Sequence, residues 1–259
     1  QLQKSIFIIL RLGLFFEKSS TRTRVSFEVA ASRLGGQALF FSSAQMQVSR
    51  GELLKDTVRV LSRYLDGVVV RTFRQETLEE WARYSRVPVI NGLTDLHHPC
   101  QILGDLLTIR EKLGTLRGRK IAYIGDGNNV AHSLLEGAAV MGMPIALACP
   151  EGYQPDSGIV RRARETAGPQ GGKIEILKDP AEAVRGAEVL YTDVWTSMGQ
   201  ENEETERVRK FQKYRIDPDL LKKGAAGAVV MHCLPAHRGE EITEAVLEGA
   251  QSVVWDQAE

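Results

Sequence analysis

Short apolar runs recur along the chain at Leu12–Phe16, Ala38–Phe41, Gly67–Val70, Pro88–Ile90, Lys120–Ile124, Ile145–Ala148, Ile174–Leu177, Val189–Thr192 and Ala228–Met231. Most are rich in β-branched or aromatic side chains and are too short for helices, which suits strands. Longer amphipathic stretches lie between most of them, with apolar positions such as Val25, Phe27, Val29, Ala30 and Leu34 in a helical pattern. Alternation of this kind predicts an α/β fold of parallel sheets flanked by helices. The helix-like stretch His98–Leu113 gives way to Gly114–Arg119, a polar, glycine-bearing connection before a fresh strand. Two domains are therefore expected, residues 1–114 and 115–259, each built on a parallel sheet. In open parallel sheets ligands collect at the carboxyl ends of strands, so the chemistry is sought in the loops that follow these runs.

Composition narrows the classes. A chain of 259 residues exceeds what one core comfortably serves, and 43% hydrophobic with 25% charged residues is a globular balance. Lys plus Arg equals Asp plus Glu at 33 each, so no net field holds the chain on nucleic acid or an anionic membrane, and any anion must be bound locally. The longest apolar stretches, such as Ile6–Leu10, fall far short of the roughly 20 residues that cross a bilayer. No signal-peptide pattern opens the chain. Cys100, Cys149 and Cys233 lack CxxC spacing, which argues against a disulfide framework or a zinc knuckle. A cytoplasmic protein is expected.

The densest chemistry follows the first run, at Glu17-Lys18-Ser19-Ser20-Thr21-Arg22-Thr23-Arg24. Ser20 reads as the N-cap of the next helix. Free backbone N–H groups, the positive end of the helix dipole, Ser20, Thr21 and Thr23 hydroxyls and the Arg22 and Arg24 guanidiniums would then meet at one spot, which suits a phosphate. A helix start with merely solvated arginines is the bland alternative. Lys18-Ser19 lacks the glycine-rich lead of a Walker loop.

Phe16–Arg24 resembles the carbamoyl phosphate signature of the aspartate and ornithine carbamoyltransferases. Arg71, His98-Pro99-Cys100-Gln101, Asp193 with Ser197-Met198-Gly199, and His232-Cys233-Leu234-Pro235 resemble that family in its order. The last two motifs are similar to the ornithine branch. The resemblance implies transfer of a carbamoyl group from carbamoyl phosphate to the side-chain amine of L-ornithine, giving L-citrulline and phosphate. It implies a carbamoyl phosphate-binding domain over 1–114 and a Rossmann-like ornithine-binding domain over 115–259. It assigns Ser20, Thr21, Arg22, Thr23, Gln47, Arg71, His98, Gln101, Cys233 and Leu234 to carbamoyl phosphate, and Asn129, Asp193, Ser197 and Met198 to ornithine. Arg22, Arg71, His98 and Cys233 would be catalytic, and no metal or organic cofactor is needed. Gln47 lies in a loop that reaches carbamoyl phosphate in the family, where such loops complete a neighbouring subunit's site, so a homotrimer is implied.

Each motif has a plainer reading. His97, His98 and Cys100 tempt a zinc reading, but adjacent side chains rarely reach one ion together. Gly125-Asp126-Gly127-Asn128-Asn129 opens like a dinucleotide fingerprint, yet Val130 stands at the third glycine position and Glu151 is only a fair ribose partner. A nucleotide-binding regulatory protein is the rival from another class, and a carbamoyltransferase for putrescine, acetylated ornithine or aspartate is the rival within this one. Asp193 follows a strand, where its carboxylate could pair with an α-ammonium group or simply cap the chain. His232 and Cys233 fall on opposite faces if the strand persists through them, which disfavours a dyad. For the proton of the attacking amine, Cys233 and the departing phosphate are both open. The loop from Asp193, with the charged stretch Glu201–Lys210, is expected to act as a lid. Gln1–Arg11 departs from the family's opening helices. The family continues past the position of Glu259 into a helix bearing a phosphate-binding arginine, which is unassigned here.

Overall fold

The computed structural model describes residues 10–169, 171–196 and 201–259. The chain divides into two compact units, Gln1–Cys100 and Gln101–Glu259.

The first unit runs β1 (Arg11–Phe16), α1 (Thr21–Arg33), β2 (Gln37–Ser42), α2 (Leu54–Leu61), β3 (Gly67–Arg71), α3 (Gln75–Tyr84) and β4 (Val89–Leu93). Its four strands lie in the order β2-β1-β3-β4, all parallel. Successive residues face opposite sides of the sheet: Phe15, Val68 and Val70 pack with Trp81 on one, while Leu14, Phe16 and Val69 pack on the other. Helix α1 buries none of its residues, and Val25, Val29 and Leu34 of its apolar pattern are exposed.

Helix α4 (Pro99–Leu113) leads into the second unit and sends Ile102, Leu106 and Ile109 into its core. There follow β5 (Ile121–Ile124), α5 (Asn129–Met141), β6 (Ile145–Ala148), α6 (Ser157–Ala167), β7 (Ile174–Leu177), α7 (Pro180–Val184) and β8 (Val189–Thr192). The chain ends with α8 (Glu204–Phe211), α9 (Pro218–Leu221), β9 (Val229–His232), α10 (Glu244–Leu247) and α11 (Val254–Ala258). The five strands are parallel in the order β7-β6-β5-β8-β9. Alternation again divides them: Ile121, Tyr123, Ile145 and Leu147 face one core, Ala122, Ile124, Ala146 and Ala148 the other. Fully burying a side chain of the size of Ile or Leu contributes about 1.5–3 kcal/mol, so these two layers carry the unit.

Strand order locates the crevices. A parallel sheet has a switch point where successive connections leave in opposite directions, and the loops there part to leave room for a ligand. In the first unit it falls between β1 and β3, in the second between β5 and β8. All nine expected strands form, and the two crevices are bordered by Glu17–Arg24 with Arg71, and by Gly125–Asn129 with Asp193.

Candidate active site

At the first switch point the ends of β1 and β3 are joined by the Glu17 N–H, which donates to the Arg71 carbonyl at 2.8 Å. Thr72 donates its hydroxyl to the Glu17 carboxylate. Ser20 is the N-cap of α1: its backbone is extended and its Oγ accepts from the Thr23 N–H at 3.3 Å, while donating to Thr23 Oγ1 at 3.0 Å. No acidic residue lies in the first turn of α1, so the positive end of the helix is left to Thr21, Arg22 and Thr23.

One of the two guanidiniums of that motif points elsewhere. Arg24 is turned round the helix, with Nε on Glu28 Oε1 at 2.8 Å and its guanidinium 3.9 Å from the centre of the Phe40 ring. Two residues along a helix face different ways, and Arg22 stands exposed on the first turn, at the positive end of the helix. A further cation, not singled out from the sequence, lies in the same motif. Lys18 is buried, ion-paired with Asp95 and 4.6 Å from the centre of the Phe73 ring.

Arg71 is buried at the end of β3, and His98 stands just before α4. Burial, with the Arg71 and Lys18 cations nearby, pushes His98 down to about 3. Its imidazole is therefore neutral at any working pH and offers an N–H as a hydrogen-bond donor. Cys100 donates its thiol to the Asn91 carbonyl at 3.2 Å, and burial raises its pKa. Among the described residues, His97, His98 and Cys100 do not gather ligand atoms around one point. Gln47 is exposed in the 3-10 turn Gln47–Arg50.

At the second switch point Asp193 collects the polar groups. Its Oδ2 accepts from Asn128 Nδ2 at 2.7 Å, and Oδ1 from the Cys233 thiol at 2.9 Å and the Val194 N–H at 2.8 Å. Asn128 also caps α5 through the Val130 and Ala131 N–H groups. Asn128 is thus the contact of Asp193, while Asn129, which the resemblance assigns to ornithine, is the first residue of α5. Burial raises the Cys233 thiol well above its usual range, and Asp193 beside it adds to the shift, so the group stays protonated and is no nucleophile.

His232 and Cys233 do not pair. β9 ends at His232, whose Nε2 is 3.0 Å from Glu241 Oε1 while Cys233 turns to Asp193. Ligand atoms of Asp193, His232 and Cys233 lie within 4.8 Å of one another, but both imidazole nitrogens are in hydrogen bonds, since Nδ1 accepts from the Leu234 N–H at 2.9 Å. Neither nitrogen is left for an ion. Leu234 is partly buried against the second unit's core. Ser197 and Met198 lie outside the described residues.

Two buried networks, both unsuspected from the sequence, brace this site. Arg207 donates from Nη1 to Asp126 Oδ2 and to the Trp195 carbonyl, each at 2.9 Å, and from Nε to Glu203 at 2.9 Å. It thereby ties α8 to the β5 turn and to the segment leading from Asp193. Asp105, fully buried, accepts on Oδ1 from Gln101 Nε2 and Gln257 Nε2, both at 2.8 Å, and Gln257 Oε1 accepts from the His232 N–H at 2.8 Å. Because an ionised carboxylate only accepts, Asp105 holds the nitrogen of Gln101 and turns its amide oxygen away.

Burial raises Asp105 to about 6 from 3.8. A raised carboxylate favours the fold below its unfolded pKa, and that advantage is lost as pH rises through 6. Two units at about 1.4 kcal/mol each make roughly 3 kcal/mol. Asp105→Asn is uncharged throughout, so its stability relative to the native protein is expected to be about 2.5 kcal/mol better at pH 8 than at pH 4, where the unfolded carboxyl is already partly ionised. Urea unfolding at the two pH values checks this, and a pH-independent difference refutes it.

The turn after β5 is closed to a dinucleotide. Gly127 donates its N–H to the Tyr153 carbonyl at 2.8 Å, and a Cβ on Gly127 would lie 2.2 Å from the Pro155 nitrogen. The space that the glycine frees is filled by backbone of the same chain, where a pyrophosphate would otherwise approach.

Residues 8–111 match the family described as aspartate/ornithine carbamoyltransferase, carbamoyl-P binding domain, and residues 117–259 match its Asp/Orn binding domain. The chain belongs to the aspartate/ornithine carbamoyltransferase family. It is 60% identical over 248 residues to the ornithine carbamoyltransferase of Gloeobacter violaceus, covering 96% of this chain and 79% of that one. The ornithine carbamoyltransferase of Symbiobacterium thermophilum is 54% identical over 249 residues, 96% of this chain and 80% of the other. Among solved structures, the ornithine carbamoyltransferase from Pyrococcus furiosus superposes with a TM-score of 0.93 at 50% identity, over 96% of this chain and 80% of that structure. Membership accounts for the two parallel sheets and their order. No helix among the described residues is long and apolar enough to cross a membrane.

Proposed function

We propose that this chain transfers the carbamoyl group of carbamoyl phosphate to the side-chain amine of L-ornithine, releasing L-citrulline and phosphate. The observation that carries the reading is the contrast between the two switch points: cations and a capped helix start at one, a buried carboxylate at the other. Residues 1–114 would bind the donor and 115–259 the acceptor. Ser20, Thr21, Arg22 and Gln47 hold the phosphate. Arg71, His98 and Thr23 face the carbonyl oxygen as it gains charge, and Gln101 presents its amide oxygen to the carbamoyl nitrogen. Asn129, Asp193, Ser197 and Met198 receive the amino acid, with Cys233 and the Leu234 backbone beside the reacting carbon.

The neutral amine attacks the carbonyl, a C–N bond forms, and the tetrahedral intermediate collapses with loss of the C–O bond to phosphate. The amine proton needs an acceptor. A thiol held protonated cannot take it, so the departing phosphate receives it. The amine itself titrates like a lysine, near 10.4, so kcat/KM for ornithine rises about tenfold per pH unit between pH 6 and 9, with no inflection from Cys233. We also propose a cytoplasmic homotrimer.

The test is citrulline formation by the native protein, with putrescine, acetylated ornithine and aspartate offered in parallel. Arg22→Ala should raise KM for carbamoyl phosphate and leave ornithine use intact. No turnover with ornithine, or preference for another amine, overturns the reading.

A further inference from the structure

One buried pair has no part in the chemistry above. His232 and Glu241 are both fully buried, 3.0 Å apart through Nε2 and Oε1, and the same Oε1 accepts from the His237 N–H at 2.6 Å. On its other side, His232 Nδ1 accepts from the Leu234 N–H at 2.9 Å. An imidazole that accepts at Nδ1 carries its one proton on Nε2, and a carboxylate oxygen opposite Nε2 fixes that tautomer.

What this tautomer holds is unusual. Leu234 is the one non-glycine residue among the described residues with a left-handed backbone, φ 56, a conformation that any Cβ disfavours. Such a conformation persists only where its surroundings over-determine it. Here the peptide N–H is anchored on His232, the preceding thiol on Asp193, and the His232 N–H on Gln257.

We propose that His232 is a positioning residue: through Nδ1, kept free of its proton by Glu241, it holds the Leu234 peptide and so sets the Cys233–Leu234 turn against the reacting group. The proposal rests on the reading of that turn given above. Its alternative is a pair that only stabilises the core, in which case the bond to Glu241 is what counts.

The two nitrogens are separable by substitution. In His232→Asn the side-chain oxygen stands near the place of Nδ1 and can accept from Leu234. In His232→Gln the amide nitrogen stands near the place of Nε2 and can donate to Glu241. Both are compared with the native protein in kcat, in KM for ornithine and in melting temperature. His232→Asn is expected to melt earlier yet keep kcat within about tenfold, and His232→Gln to lose about 10²-fold in kcat, the scale of a small misplacement at a reacting centre. His232→Gln as active as His232→Asn, or more so, overturns the proposal. Should either variant not fold, ¹⁵N NMR of the intact protein decides: the Nε2–H tautomer is expected, and Nδ1–H overturns it. Native turnover is measured alongside, so failure of the underlying reading shows separately as absence of citrulline.

Discussion

Arg71→Met is expected to lower kcat for citrulline formation about 10²–10³-fold, the usual loss when one preorganised donor to a developing oxyanion is removed. Arg71 is buried at the end of β3, where a switch point directs ligands, and the change keeps most of the side-chain volume. A second readout comes with it. The Arg71 charge is one of the causes that hold His98 down near 3, after burial itself. Removing a neighbouring cation favours the charged imidazole, so the His98 pKa rises. NMR titration of His98 beside steady-state kinetics reads both effects. Unchanged kcat would remove Arg71 from the reaction, whereas a fixed His98 pKa would remove it from the neighbourhood of the imidazole.

Asp193→Asn is expected to reduce kcat/KM for ornithine about 10²-fold, since a charge-assisted hydrogen bond is worth about 1.5–3 kcal/mol and each 1.4 kcal/mol is tenfold. The near-isosteric amide keeps one acceptor oxygen, enough for either Asn128 or the Val194 N–H and Cys233 thiol, and the change lies in the second unit, so KM for carbamoyl phosphate should move little. Cys233 reports independently. Asp193 raises its thiol pKa both by charge and by accepting its hydrogen bond. Without that carboxylate the pKa falls, the thiolate fraction at pH 8 grows, and alkylation of Cys233 quickens. Slower alkylation, or loss confined to carbamoyl phosphate, would contradict the assignment.

Much of the fold was legible because its signals are local. Nine apolar runs became nine strands, since each buried run must alternate between two cores, and Ser20 became the cap because only a short polar side chain can reach back to Thr23. Boundaries were less so: the run expected over Pro88–Ile90 is the strand Val89–Leu93, and that over Ala228–Met231 is Val229–His232. The site was half legible. Arg24 follows Arg22 by two positions, and a linear motif does not say that helical rotation carries it to Phe40. Lys18 was visible within its motif, but its burial was not. Asp105 with Gln257, and Arg207 with Asp126, are separated by 152 and 81 residues, so no local pattern joins them. Asn128 and Asn129 are chemically identical in the sequence; only capping geometry decides which turns to Asp193.

The crowding of Gly127 by Tyr153–Pro155 bears on what could be engineered from this chain. Restoring a glycine at Val130 would complete the written fingerprint without creating a seat for nicotinamide or flavin dinucleotides. An engineer would first have to excise or re-route the segment at Tyr153–Pro155, since main chain, unlike a side chain, cannot be trimmed away by a point mutation.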